Sequence, residues 1–192
     1  MTTKSIMIVG VGGQGTLLAS KLLGHVLLGQ GMDVKVSEVH GMSQRGGSGV
    51  TYVRYGEKVY SPVIDKGEAD IILSFEKLEA ARWLEYLKPG GQMIVNTQEM
   101  EPMPVVTGQA VYPERLVEKM QETGARVDAA DFLALAREAG SDKAVNVALL
   151  GRLSRYFPEV PEEAWQEAIT AVVPERFQEL NRKAFALGKH MG

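Results

Sequence analysis

The stretch that decides the fold is residues 5–28, SIMIVGVGGQGTLLASKLLGHVLL. It begins with a short apolar run, Ile6 to Val9, which has the length of a strand buried on both faces. A glycine-rich turn follows at residues 10–15, and leucines then recur at helical spacing from Leu18 onward. The sequence therefore predicts a buried strand, a tight turn and a helix with a broad apolar face, in direct succession.

The turn carries a glycine motif. Gly10, Gly12 and Gly15 fit the pattern G-x-G-x-x-G, which brings bare backbone N–H groups close to a ligand at a helix N-terminus. These N–H groups lack partners and lie at the positive end of the helix dipole, so a phosphate suits them. A turn that only lets strand and helix pack closely explains the same glycines, and both interpretations stay open. The candidate binding residues are Gly10, Gly12, Gly13, Gln14, Gly15 and Thr16.

A dinucleotide-binding fold also needs an acidic residue at the end of its second strand, about 20 residues further on. We predict that strand at Met32–Val39, which leaves Glu38 as the candidate. The sequence that continues from Glu38 does not resemble the edge of an adenosine pocket. The motif alone is therefore a weak indication of a nucleotide.

The loop after Glu38 is rich in glycine and serine and reads GMSQRGGSG at residues 41–49. It offers side-chain donors with little bulk, and a guanidinium is well matched to phosphate or carboxylate groups. A flexible connector with a solvated arginine is the alternative. The candidate binding residues of this loop are Ser43, Gln44 and Arg45.

Two short extended runs follow, residues 50–55 and 58–63, on either side of Gly56-Glu57. Their spacing predicts a β-hairpin. Because the neighbouring units alternate strand and helix, a hairpin here makes the sheet mixed, with antiparallel strands at one edge.

The second half of the sheet is predicted from strands at Ala69–Phe75 and Gln92–Asn96. A helix over Leu78–Leu87 connects them and is stopped by Pro89-Gly90-Gly91. Ligands of open α/β sheets bind outside the carboxyl ends of the strands. The residues at those ends, which we expect to line the same crevice as the glycine turn, are Ser74, Phe75, Glu76, Asn96 and Thr97.

The rest of the chain is mainly helical, and Asn146 reads as a buried amide with its hydrogen bonds satisfied. The predicted fold is α/β: a three-layer, doubly wound Rossmann-like domain with a mixed sheet and a helical C-terminal appendage. We expect one domain over residues 1–192, with the α/β core at 1–140 and the C-terminal helices at 141–192. The remaining predicted elements are a helix at Pro113–Glu122, a strand at Ala125–Ala130, and helices at Phe132–Ala139, Lys143–Phe157, from Pro161 and from Pro174 to Gly188.

Composition excludes several classes of protein. The 192 residues carry a net charge of −3, which implies no general attraction to nucleic acid or to anionic lipid. No apolar run approaches the roughly 18 residues of a membrane span, and the predicted first strand follows Met1–Lys4 at once, so we expect a cytoplasmic protein without a signal peptide. There is no cysteine and the three histidines lie far apart, which excludes thiolate-held clusters and argues against a metal site.

Four runs of residues together resemble one family. GVGGQG at residues 10–15 is similar to the opening of the small catalytic-domain subunits of 2-oxoacid:ferredoxin oxidoreductases. SEVHGMSQRGGS at residues 37–48 is more particular and resembles the beta subunits of members that act on indolepyruvate. KAVN at 143–146 and NRKAFALG at 181–188 are similar to the same family, so the likeness covers essentially the whole chain.

The resemblance implies a heteromeric enzyme that oxidatively decarboxylates an aryl 2-oxoacid, forms an acyl-CoA and passes electrons to ferredoxin. It implies that a larger alpha subunit holds thiamine diphosphate and the 4Fe-4S clusters, in agreement with the missing cysteines. For this chain it implies a place beside the thiamine site and a part in binding coenzyme A. Because a helix N-terminus suits a diphosphate, our hypothesis is that Gly12–Thr16 bind that group of coenzyme A. Arg45 and its neighbours would then cap the shared cleft or line the subunit interface. No catalytic residue and no metal ligand is assigned to this chain.

Two other functions remain open at this point. One is a self-sufficient NAD-dependent oxidoreductase, which the glycine motif and Glu38 would serve. The other is a non-catalytic nucleotide-binding scaffold protein, which would bind ligand without turnover.

Overall fold

The computed structural model describes residues 2–40 and 47–191 of the chain. Within these ranges six strands form one mixed sheet in the order β2-β3-β1-β4-β5-β6. β3 runs antiparallel to both of its neighbours, whereas β1, β4, β5 and β6 run parallel. The strands are β1 Lys4–Val11, β2 Asp33–His40, β3 Ser48–Gly56, β4 Ala69–Ser74, β5 Leu87–Asn96 and β6 Arg126–Ala130.

Helices cover both faces of this sheet and complete three layers, as predicted. The first core, on one face, contains side chains of α1, α5, α6, α7 and α8, and the second core, on the other face, contains side chains of α2 and α4. None of the helices in the described ranges has the length and apolarity to cross a membrane. The helices are α1 Thr16–Gly29, α2 Lys77–Arg82, α3 Met103–Val106, α4 Leu116–Glu122, α5 Phe132–Ala139, α6 Val145–Ser154, α7 Glu162–Val172 and α8 Glu175–His190.

Strand β1 lies near the middle of the sheet, between β3 and β4. Ile6, Met7, Ile8 and Val9 have no exposed surface. Successive side chains of a strand point to opposite faces, so Ile6 and Ile8 reach the first core while Met7 and Val9 reach the second. The predicted two-sided burial is confirmed.

The predicted hairpin between residues 50–55 and 58–63 is wrong. β3 pairs with β1 along one edge and with β2 along the other, so it has no free edge for a third strand. Residues 57–68 instead cross the amino end of the sheet, where the N–H of Val59 donates to the Asp33 carboxylate at 2.8 Å and Ile64 enters the second core. The prediction of a mixed sheet nevertheless holds, because β2 and β3 supply the antiparallel pair.

Several helix boundaries differ from the sequence patterns, among them α6, which occupies Val145–Ser154 within the predicted Lys143–Phe157. The helix after β4 ends at Arg82, not Leu87, and a single 3-10 turn follows. Pro89-Gly90-Gly91 does not stop a helix but lies inside β5, at an irregularity in its pairing with β4. Helix α4 begins at Leu116, not Pro113, because Arg115 takes a left-handed φ of 55°.

Helices α6 and α8 approach each other to backbone contact. Every residue of α6 is buried, and a Cβ added at Gly188 of α8 would lie 1.8 Å from the carbonyl oxygen of Ala148. A Cβ at Gly151 of α6 would likewise lie 2.0 Å from the carbonyl oxygen of Phe185. This contact explains why α8 continues through Gly188, where the sequence pattern predicts its end.

We predict that Gly188→Ala destabilises the protein by about 3 kcal/mol or more, because the new methyl group overlaps backbone that cannot rotate away. The measurement is the free energy of unfolding in denaturant. Gly24→Ala in α1 is the matched control, since no atom lies within 4 Å of a Cβ added there. It should leave stability unchanged or raise it by up to about 1 kcal/mol. Equal effects of the two substitutions would contradict the close helix contact.

Candidate functional site

The candidate site lies at the carboxyl ends of the parallel strands, where β1 passes into α1. Three hydrogen bonds hold the turn between them in place. The N–H of Gly12 donates to the carbonyl of Gly47 at 2.9 Å. The Gln14 side chain accepts from the N–H of Val11 at 2.8 Å and donates to the carbonyl of Phe75 at 3.1 Å. Gln14 therefore fixes the shape of the turn from within.

The turn presents backbone donors to solvent. Gly13 and Gly15 take positive φ angles of 92° and 90°, which glycine adopts without strain. The N–H groups of Gly13, Gly15 and Thr16 have no acceptor among the described residues. Helix α1 has neither a side-chain cap nor an acidic residue in its first turn. Its positive end therefore remains available to an anion.

The facing wall of the cleft comes from the C-terminal third of the chain. Asn146, in the first turn of α6, donates from Nδ2 to the carbonyl of Gly15 at 3.4 Å. A Cβ at residue 15 would lie 2.7 Å from that nitrogen, so only glycine fits there. The space between the two walls is about 600 Å³. Its lining residues are Gly12, Gly13, Gln14, Gly15, Leu18, Gln98, Met100, Leu133, Arg137, Asp142, Lys143, Val145 and Asn146.

The charges of this cleft favour an anion. Arg137 forms an ion pair with Asp142, with 3.0 Å between Nε and Oδ1. That hydrogen bond raises the pKa of the Arg137 guanidinium above its ordinary value. The Lys143 ammonium makes no ion pair within the described residues, so the cleft keeps one uncompensated positive charge.

A buried carboxylate fixes the start of β3, next to the glycine turn. Glu79 accepts from the Ser48 hydroxyl, from Trp83 Nε1 at 3.3 Å and from Arg82 Nε at 3.2 Å. Since Ser48 follows Gly47, whose carbonyl holds Gly12, these contacts also help to place the turn.

The predicted binding residues have different positions. Gly12, Gly13, Gln14 and Gly15 line the cleft. Gly10 lies within β1, where a Cβ would approach that of Phe75 to 3.0 Å, so it permits close packing. Thr16 is the first residue of α1 and offers its backbone N–H. The other three predicted residues, Ser43, Gln44 and Arg45, lie outside the described residues.

The strand-end residues expected to line the crevice mostly support it from behind. Ser74, Phe75, Glu76 and Asn96 are buried. The carbonyl of Phe75 accepts from Asn96 Nδ2 at 3.0 Å as well as from Gln14. Gln98 and Met100, which were not predicted, do line the cleft. Nothing in their local sequence pattern distinguishes them from the connection that follows.

Glu38 does not lie beside the glycine turn. β3 is inserted between β1 and β2, so that Glu38 pairs with Thr51, which in turn pairs with Ile8 of β1. Two strand spacings separate Glu38 from β1, about 9–10 Å. Its side chain lines a different groove, against α1. The arrangement that holds a dinucleotide ribose is therefore not formed by Glu38.

Comparison with known proteins identifies the family. The model of the pyruvate ferredoxin/flavodoxin oxidoreductase family matches residues 5–191. The chain belongs to this family. A relative, the indolepyruvate oxidoreductase subunit IorB of Thermococcus kodakarensis, is 45% identical over 195 residues, which cover 98% of this chain and 95% of that protein. The resemblance inferred from the glycine turn and residues 37–48 is confirmed.

Solved structures show the same fold. The pyruvate oxidoreductase subunit PORC from Thermotoga maritima matches with a TM-score of 0.76 and 22% identity, over 98% of this chain and 96% of that one. The 2-oxoglutarate:ferredoxin oxidoreductase from Magnetococcus marinus matches with a TM-score of 0.75 and 20% identity, over 98% of this chain but 31% of that one. In that oxidoreductase the fold of this family member is therefore one part of a longer polypeptide.

We predict that Gln14→Leu lowers the free energy of unfolding by about 1–3 kcal/mol. The N–H of Val11 would lose its acceptor, and the carbonyl of Phe75 would lose one of its two donors. Denaturant unfolding measures this change. Gln121→Leu, at an exposed position of α4, is the control and should change stability by less than about 0.5 kcal/mol. A neutral Gln14→Leu would show that the side chain does not hold the turn.

Proposed function

We propose that this chain is the smaller subunit of a heteromeric indolepyruvate:ferredoxin oxidoreductase. The enzyme oxidatively decarboxylates indolepyruvate and other aryl pyruvates. The bond between the 2-oxo carbon and the carboxylate breaks and carbon dioxide leaves. The acyl carbon forms a thioester with the sulfur of coenzyme A, whose thiol proton is released, and the two electrons go to ferredoxin. The proposal is supported by membership of the oxidoreductase family and by the relative, nearly equal in length, that acts on indolepyruvate.

We assign the glycine-turn cleft to the diphosphate of coenzyme A. One observation carries this assignment: three N–H groups without acceptors at the start of α1 face a wall that holds the unpaired Lys143. Backbone donors, a helix dipole and a lysine together form the environment that phosphates bind. The Magnetococcus marinus oxidoreductase was solved with coenzyme A and succinyl-CoA bound, which supports this choice of ligand.

The role of this chain is then to bind and orient one substrate. Gly13, Gly15 and Thr16 would donate to the diphosphate, Lys143 would neutralise part of its charge, and the thiol end would reach beyond the cleft. Fixing the phosphates lowers the entropic cost of bringing the thiol to the acyl group. Residues 43–45 retain their proposed role at the edge of this cleft or at the subunit interface.

The larger subunit supplies the redox groups in this proposal. Thiamine diphosphate, when bound there, would supply the electron sink for decarboxylation, and 4Fe-4S clusters would supply the path for electrons to ferredoxin. The chain described here contains no cysteine, so its own residues cannot hold such clusters through thiolates.

The position of Glu38 disfavours the NAD-dependent alternative. The acidic residue that would bind a ribose lies on the far side of β3 from the glycine turn. A scaffold protein without turnover is distinguished by activity of the assembled enzyme, which should require this chain.

We predict that Lys143→Ala raises the KM of the reconstituted enzyme for coenzyme A roughly tenfold, because one charged contact to phosphate is worth about 1.4 kcal/mol. Initial rates with saturating indolepyruvate and ferredoxin provide the measurement. Lys119→Ala, an exposed lysine of α4 away from the cleft, is the control and should leave KM unchanged.

Truncated thiols show which phosphate group Lys143 contacts. Dephospho-coenzyme A keeps the diphosphate, so Lys143→Ala should raise its KM by the same factor. Pantetheine has no phosphate, so its KM should not change. An unchanged KM for coenzyme A would place the diphosphate elsewhere. Tight binding of NAD by this chain, together with inactivity of the assembled pair, would instead favour a dinucleotide-dependent enzyme.

A further inference from the structure

The connection between β5 and α4 contains a long segment without charge. Residues 102–113 read PMPVVTGQAVYP and include no Asp, Glu, Lys or Arg, although 23% of the chain is charged. We call this segment the uncharged loop. An uncharged connection at a protein surface is unusual, because exposed loops are normally rich in polar and charged residues.

The apolar side chains of the uncharged loop face solvent. Met103 is 70% exposed, Val106 63% and Val111 86%. The three lie within nine consecutive residues of the loop. A local concentration of exposed apolar side chains is a feature of interaction sites.

The uncharged loop has a defined backbone of its own. α3 occupies Met103–Val106, and the carbonyl of Pro104 accepts from the N–H groups of Gln109 and Ala110 at 2.8 and 2.9 Å. The N–H of Thr107 donates to the carbonyl of Met103 at 2.9 Å. The loop therefore keeps its shape through internal hydrogen bonds and needs no apolar burial in this chain.

One buried carboxylate fastens both ends of the uncharged loop. Glu76 is 1% exposed, and its Oε2 accepts from the N–H of Met100 at 3.1 Å and from the Tyr112 hydroxyl at 2.6 Å. Its Oε1 accepts from the N–H of Glu79 at 2.8 Å, which ties the base to α2. Burial and the bond to Glu76 raise the pKa of Tyr112 well above its ordinary value, so the phenol remains a donor.

The base of the uncharged loop borders the cleft. Gln98 and Met100, four and two residues before it, line the cleft together with Lys143. A protein that covers the loop would therefore also meet the mouth of the cleft. The loop is preorganised, so such a partner would bind it without the cost of ordering a flexible segment.

We propose that the uncharged loop is the surface on which the larger, thiamine-holding subunit docks, through an apolar and uncharged groove on that subunit. This inference rests on the proposed function. The thiol of a coenzyme A held in the cleft must reach the acyl group on the larger subunit, so that subunit has to abut the mouth of the cleft. A second copy of this chain would bring no acyl group there. Apolar side chains on this surface lose no charge solvation when they are covered.

The test is the affinity between the two purified subunits, measured by titration calorimetry. Met103→Asp/Val106→Asp should raise the Kd roughly 100-fold, because two carboxylates would be desolvated in an apolar groove. Both side chains are exposed in this chain, so its melting temperature should not change. Met103→Ala/Val106→Ala provides a second variant without added charge and should weaken binding by a smaller factor, roughly tenfold.

Tyr60→Asp is the matched control. Tyr60 is 85% exposed and lies in the segment that crosses the opposite, amino end of the sheet. It should leave the Kd unchanged. An unchanged Kd for the double aspartate variant would overturn the proposal. The proposal would also be wrong if this variant abolished self-association of the chain but still bound the larger subunit.

The two experiments test the docking surface and the coenzyme A site independently. If Lys143→Ala leaves the KM for coenzyme A unchanged while the double aspartate variant weakens subunit binding, the docking surface stands and the assignment of the cleft is wrong. If the KM changes and the subunit affinity does not, the cleft stands and the docking surface is wrong.

Discussion

One backbone carbonyl, that of Phe75, connects the parts of the candidate site. It accepts from Gln14 at the glycine turn and from Asn96 at the end of β5. The other end of the Asn96 amide accepts from the N–H of Phe132, the first residue of α5, at 3.1 Å. The turn after β1, the ends of β4 and β5 and the start of α5 are thus joined by a single chain of hydrogen bonds. Because α5 also carries Arg137, the same chain joins both walls of the cleft.

Local patterns were sufficient for the elements that are defined within about twenty residues. The strand at Ile6–Val9, the turn after it and α1 follow from apolar spacing and glycine chemistry, and α5 was predicted with its observed boundaries. The predicted hairpin paired β3 with the segment that follows it, whereas β3 pairs with β2, the strand directly before it in sequence. The other edge of β3 is taken by β1, a pairing between distant parts of the chain that the local pattern at residues 58–63 does not show.

The sequence predicts one of the two walls of the candidate site. The glycine turn is a local motif, but its facing wall is not: Asn146 and Gly15 are 131 positions apart and meet only because α6 packs beneath α1. Family resemblance pointed to residues 143–146 without indicating what they contact. The interpretation of Asn146 as a satisfied buried amide holds, since both ends of its side chain are hydrogen-bonded. Its position against Gly15 also makes it part of the cleft.

The backbone contact of α6 with α8 has a mechanical consequence for substrate access. Side chains between two helices can change rotamer and let the helices slide, but at Gly151 and Gly188 there is no side chain to move. Arg152, nearly fully buried, further ties α6 to the end of α8 through the carbonyl of Gly188 at 2.8 Å. This wall therefore moves as one stiff body. Because hydrogen bonds also hold the glycine turn, any widening of the cleft is left to the connection that carries Gln98 and Met100.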